Sequence, residues 1–174
     1  MNFLFGLFRF LTWGNIIVLG LFSVIMLMAA IVLPFAPILV MLIMFGTVIM
    51  HNVLCLRLQK SLLRPAQPLQ PGFPTQIILM SVLAFIYGVY ILFTAIKMQM
   101  VPEEEWIRNF SEQKIPGATG ASNEHLIGAM KIWMVLLGIH GAAIAVNCVL
   151  SSFYLNHWKK EHTTAENNDQ FFDI

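Results

Sequence analysis

The sequence predicts an all-α integral membrane protein: a four-helix transmembrane bundle, both termini inside, with a short interfacial helix in its outer loop. Three observations lead there. The chain is 58% hydrophobic and 11% charged, where globular proteins carry roughly 25% charged residues. Four stretches reach the ~20 apolar residues that a helix needs to cross the hydrocarbon core. The basic and acidic residues then fall into different loops, as the positive-inside rule requires of a multi-pass chain.

The first span is predicted at 14–33. Ahead of it, "MNFLFGLFRFLTW" holds one basic residue, Arg9, and no small-x-small cleavage site, so the first apolar segment stays as an anchor. Its first dozen residues either lie in the interface or lengthen the first span. Pro34 and Pro37 in "LPFAP" interrupt the helix, dividing a run twice too long for one crossing. A tight hairpin and a second span at 37–56 follow. The third span, 76–97, ends on Lys97. The fourth, 130–156, lies in a longer apolar region from Leu126 to Leu155, where Lys131 snorkels at one end. Residues 1–158 thus form a four-span domain. Residues 159–174, polar until Phe171, are expected to be a disordered cytoplasmic tail.

Arg57, Lys60 and Arg64 follow span two without an acid. Glu103, Glu104, Glu105, Glu112 and Glu124 follow span three, against Arg108 and Lys114. Span four leaves through "NHWKK", with Trp158 as interfacial anchor and Lys159 and Lys160 as retention charges. Both termini and the 57–75 loop are therefore expected in the cytoplasm, and the 98–125 loop outside. The expected location is a bacterial inner membrane.

Span four carries polar groups where hydrocarbon disfavours them. At ~100° per residue, His140, Asn147 and Ser151 fall on one side. Gly138, Ala142 and Ala145 fall opposite, with Ser152 nearby. Ile132, Ile139, Val146, Leu150 and Phe153 form a third arc suited to lipid. Small residues permit close helix approach, so two sides of span four look contacted, one of them by another subunit. Depth at 1.5 Å per residue pairs Asn147 with His51 and His140 with Tyr90. These residues read first as interhelical hydrogen bonds, second as a proton or solute path. A haem held by His51 and His140 would need both at one depth, and they differ by ~10 Å. No span holds an Asp, Glu or Arg well inside, which disfavours a pump. Span three repeats the small face with Ser81, Ala84, Gly88 and Ala95.

In the cytoplasmic loop, Pro65, Pro68, Pro71 and Pro74 recur every third residue, the period of a polyproline II helix. They read as a partner-docking strap or a stiff connector. Outside, "VPEEEWIRNF" reads as a helix with Pro102 at its first position and Glu103 to Glu105 at its positive end. Trp106, Ile107 and Phe110 share a face expected to lie flat on the membrane. "PGATGASN" reads as a hinge, with Ser122 or Asn123 capping span four. The acidic trio with His125 lacks metal-ligand spacing. Methionines 41, 44, 98 and 100 read as filler before copper ligands. Cys55 and Cys148 read as reduced, apolar thiols.

The net charge of +1 calls for no nucleic acid. No nucleophile–base pair, phosphate loop or nucleotide fingerprint occurs. There is no cysteine-rich outer loop like that of tetraspanins and no histidine pairing like that of four-helix b-type cytochromes. The expectation is a non-enzymatic subunit or scaffold without cofactor, meeting the lipid bilayer and other membrane subunits or itself through span four. The alternative is a small transporter or channel along spans two to four.

Overall fold

A computed structural model describes residues 3–29, 31, 35–64, 69–112 and 120–170. The elements are α1 (Phe3–Ala29), α2 (Phe35–Leu63), α3 (Phe73–Gln99), α4 (Glu103–Glu112) and α5 (Gly120–Gln170). No strand occurs among the described residues. Four of the helices are long and apolar enough to cross a membrane, over Phe3–Met28, Ile38–Leu63, Phe73–Gln99 and Ile127–Glu161. The protein is an all-helical, multi-pass membrane protein.

The helices outrun the predicted spans at the amino terminus of α1 and at the end of α2 that leads into α3. α1 starts at Phe3, so the early Phe-rich residues lengthen the first span. The reason is a continuous inward stripe: Phe5, Phe8, Thr12, Asn15 and Leu19 are all buried, at the i, i+3, i+4 spacing of one helix face. α2 runs to Leu63 instead of ending at 56, because Leu58, Gln59 and Ser61 continue its buried side.

The proline strap is shorter than its period suggested. Pro65 and Pro68 lie outside the described residues. Pro71 sits in a turn and Pro74 in the first turn of α3, where its missing N–H was not needed by the helix. The Phe73 amide donates to Gln70 O at 2.9 Å and the Gln76 amide to Gly72 O at 3.2 Å. These bonds turn the chain into α3 where a polyproline strand was expected. At the far end, α5 remains helical to Gln170, through most of the segment expected to be disordered.

The chain divides into two compact units, Met1–Ile86 with Ala143–Ile174, and Tyr87–Ala142. In the first, α1, α2, the start of α3 and the end of α5 share a core. Tyr154 is its aromatic centre, stacked on Phe8 at 5.2 Å and edge-on to Phe5 at 5.4 Å between ring centroids. Leu150, expected on the lipid arc, is buried in this core. It borders the polar face and lies one turn from Tyr154. Ile132, Ile139, Val146 and Phe153 of the same arc are exposed. The Trp158 indole donates Nε1–H to Ser61 Oγ at 3.0 Å, tying the end of span four to α2.

In the second unit, the end of α3 and the start of α5 come together backbone to backbone. A Cβ placed on Gly141 would lie 2.7 Å from Gly88 O and 2.8 Å from Leu92 N. Only glycine permits this approach. One turn earlier the pair relaxes, and a Cβ on Gly138 would sit 3.4 Å from Ala95 Cβ, an ordinary contact.

α4 begins after Pro102, whose carbonyl accepts the amides of Glu105 (3.1 Å) and Trp106 (3.3 Å). Pro102 therefore precedes the helix, where the sequence put it at the first helical position. Trp106 is buried against Ile127 of α5, with Val101 and Met130 beside it. Its ring turns to the protein, not outward with Ile107 as expected. Lys131 Nζ reaches Glu103 Oε2 at 3.9 Å, and Gln99 Nε2 donates to the Lys131 carbonyl at 2.6 Å. α5 already runs from Gly120, so Ser122 and Asn123 stand in its first turn, past the capping position.

Candidate functional site

The densest chemistry is a buried polar cluster within the first unit. α1 supplies Thr12, α2 supplies His51, Asn52, Cys55 and Gln59, α3 supplies Ser81, and α5 supplies Asn147, Cys148 and Ser151. All are buried. Polar groups in such a place need partners, since an unpaired one costs several kcal/mol in hydrocarbon, on the order of ~2–7.

One chain of hydrogen bonds runs through the amides. Gln59 Nε2 donates to Thr12 Oγ1 at 2.9 Å. The Thr12 hydroxyl lies 2.7 Å from Phe8 O and 3.2 Å from Asn147 Oδ1, and shares its one proton between them. Asn147 Nδ2 donates to Asn52 Oδ1 at 2.8 Å. Asn52 Nδ2 donates to Val48 O at 2.7 Å, closing the chain on a backbone carbonyl. Donors and acceptors point in one sense along it, so each bond polarises the next.

A second group surrounds His51. The Ser151 hydroxyl donates to Cys148 O at 2.8 Å. Its oxygen is then an acceptor for His51 Nε2 at 3.1 Å. This assigns the neutral imidazole proton to Nε2 and leaves Nδ1 as acceptor. Cys55 Sγ lies 3.5 Å from Nε2, and Cys148 Sγ lies 4.0 Å from Nδ1. Ser81 Oγ reaches Cys148 O at 3.4 Å and Ser151 Oγ at 3.5 Å.

The cluster contains no carboxylate and no lysine or arginine. Its members are neutral donors and acceptors that hold α1, α2, α3 and α5 together. Among the described residues, no group of three or more His, Cys, Asp or Glu side chains is arranged to hold a metal ion.

His51, Asn147 and Ser151 thus come together, with partners that differ from the expected ones. Asn147 bonds Asn52 and Thr12, and His51 bonds Ser151. His140 and Tyr90 do not pair. Tyr90 is 66% exposed. His140 Nε2 is buried without a hydrogen-bond partner. On the small-residue flank, Gly138 faces Ala95 and Leu92 of α3. Ala142 and Ala145 are half-buried, and Ser152 is exposed, its hydroxyl donating to Cys148 O at 3.1 Å.

Sequence reasoning passed over Asn52, Thr12 and Gln59. Thr12 lay ahead of the first predicted span, and Gln59 beyond the second. The signal was present in α2, where Val48, Asn52, Cys55 and Gln59 recur at i, i+4, i+7 and i+11. That row is one helix face.

Compared with protein families, with curated proteins and with solved structures, the chain matches none.

Proposed function

We propose that the protein is a non-enzymatic integral subunit or scaffold of a membrane assembly, with span four as its contact helix. The observation that supports this reading most is the closed polar cluster. Its amides, hydroxyls and imidazole satisfy one another, and Thr12, His51, Asn52 and Asn147 are each 0% exposed. Such a cluster braces helices and presents no reactive group to a substrate. On α5, Ala145, Val149, Ser152 and Phe153 are half-buried or exposed and form one face open to a neighbour. The working picture is a protein of the bacterial inner membrane, both termini cytoplasmic, without cofactor, associating with itself or with other subunits. Pro65, Pro68 and Pro71 fall between α2 and α3, and Pro74 opens α3, on the side that would meet a cytoplasmic partner.

The second reading is a small transporter or channel along spans two to four. It is favoured by the ring nitrogen of His140 on span four, Nε2, which is buried without a partner and which a passing polar guest would satisfy. Gentle detergent extraction followed by native mass analysis separates the two. Copurified subunits or a homo-oligomer, lost when Ser152 and Ala145 are replaced by Leu, support the scaffold. A strict monomer that moves solute in liposomes, and loses flux in His140→Leu, overturns it.

A further inference from the structure

α1 uses two sides differently. Phe5, Phe8, Thr12, Asn15 and Leu19 turn inward. Around the other side, Gly6, Arg9, Phe10, Trp13, Gly14 and Ile17 line an open groove of about 490 Å³. A Cβ on Gly6 or Gly14 would meet nothing within 4 Å, so the two glycines form the floor. Phe10 and Trp13 rise from it, 74% and 52% exposed.

Arg9 is the one charged residue of α1. It is exposed and has no hydrogen bond or ion pair with any described residue. It follows Phe3 by six positions, so its Cα stands ~9 Å along the axis from the helix start. Long helical side chains lean toward the N-terminus. Gly6, one turn earlier, puts no side chain in the path, so the guanidinium can snorkel toward the membrane surface at which α1 begins.

We infer that this groove binds an anionic phospholipid, with Arg9 on the phosphate and the acyl chain along Trp13, Gly14 and Ile17. Three arguments select this occupant. A guanidinium matches a phosphodiester with two parallel N–H···O bonds, and its charge favours a headgroup in which no cation already offsets that phosphate. The face runs from a cation to an apolar floor over ~12 Å from Arg9 to Ile17, the order in which a lipid presents headgroup and chain. Trp at the cation's side is the usual interfacial residue of a bilayer. A second copy of the chain fits less well, because a two-fold contact through this face would set Arg9 against Arg9. The inference uses α1 alone and does not rest on the assembly reading.

The test is native mass analysis of the full-length protein, in mild detergent, titrated with phosphatidylglycerol or phosphatidylcholine. A juxtamembrane cation is worth about 1 kcal/mol toward an anionic lipid, so retention of phosphatidylglycerol should exceed that of phosphatidylcholine about five-fold. Arg9→Gln should erase the preference, and Arg9→Lys should keep part of it. Gly6→Leu and Gly14→Leu, at positions where an added Cβ meets nothing within 4 Å, should weaken retention of both lipids while melting temperature holds. The inference is overturned by equal retention of the two lipids in the native sequence, or by a preference that survives Arg9→Gln. Displacement by millimolar inorganic phosphate, or a Phe10→Cys disulfide joining two copies at high yield, overturns it equally.

Discussion

Asn147 on α5 donates its amide to Asn52 on α2 at 2.8 Å, across 95 residues of sequence. Each amide also makes a second bond, Asn147 to Thr12 and Asn52 to Val48 O. The pair therefore links α2 and α5 directly and reaches α1 through Thr12. Removing either partner leaves the other buried with an unmet group.

Asn147→Leu and Asn52→Leu should each destabilise the protein by about 1–3 kcal/mol, the cost of an orphaned buried polar group. The double variant should cost less than the sum, since two apolar side chains leave fewer groups unmet. Reversible unfolding in mixed micelles measures all three. Strict additivity would deny the coupling.

Glycine positions should separate sharply. Gly141→Ala would press a methyl against Gly88 O and Leu92 N, both backbone atoms that cannot rotate away. The helices must part, at about 1–3 kcal/mol for overpacking. Gly138→Ala meets only Ala95 Cβ at 3.4 Å and should be close to neutral. Thermal melting of the two variants side by side tests the ordering.

Trp106→Ala should loosen α4 without unfolding the spans. The ring's burial is against Ile127, Val101 and Met130, and removing a buried aromatic costs ~3–5 kcal/mol in a full core. This small cluster should lose less than that. Amide exchange should accelerate in residues 103–112 and remain unchanged around Asn52 and Asn147.

Cys55 and Cys148 are 0% and 3% exposed. A membrane-permeant maleimide should therefore leave both thiols unmodified in the native protein over the time in which it labels both after denaturation. Mass measurement gives the count. Rapid labelling of Cys148 in the native state would mean that the α2–α5 seam opens readily.

Much of the architecture was legible in hydropathy. Four apolar runs, the prolines at the start of the second of them, and the Glu-rich start of α4 are local signals, and local signals survive in a single sequence. Partner identity was not. Depth arithmetic put Asn147 level with His51, but Asn52 is next to His51 and lies at nearly the same depth. Which of the two faces Asn147 depends on the rotation of α2, and that is decided by packing from outside the helix. Trp106 was misjudged for the same reason. Its amphipathic face was read correctly as apolar, and the choice between lipid and Ile127 was non-local. Thr12 and Gln59 were missed because a hydropathy window stops where polar residues begin, while a helix can continue through them if they have partners.

The bond between Thr12 and Asn147 spans 135 residues, and this has a consequence for biogenesis. At ~5–20 residues per second, the ribosome reaches Asn147 on the order of ten seconds after Thr12. Throughout that interval the first helix waits without Asn147, and only Gln59 of α2 arrives earlier to bond Thr12. Thr12 can lean on the Phe8 carbonyl of its own helix, but Asn15 has no such fallback within the bonds described. The helix made first thus gains its bond to Asn147 only when the last helix arrives.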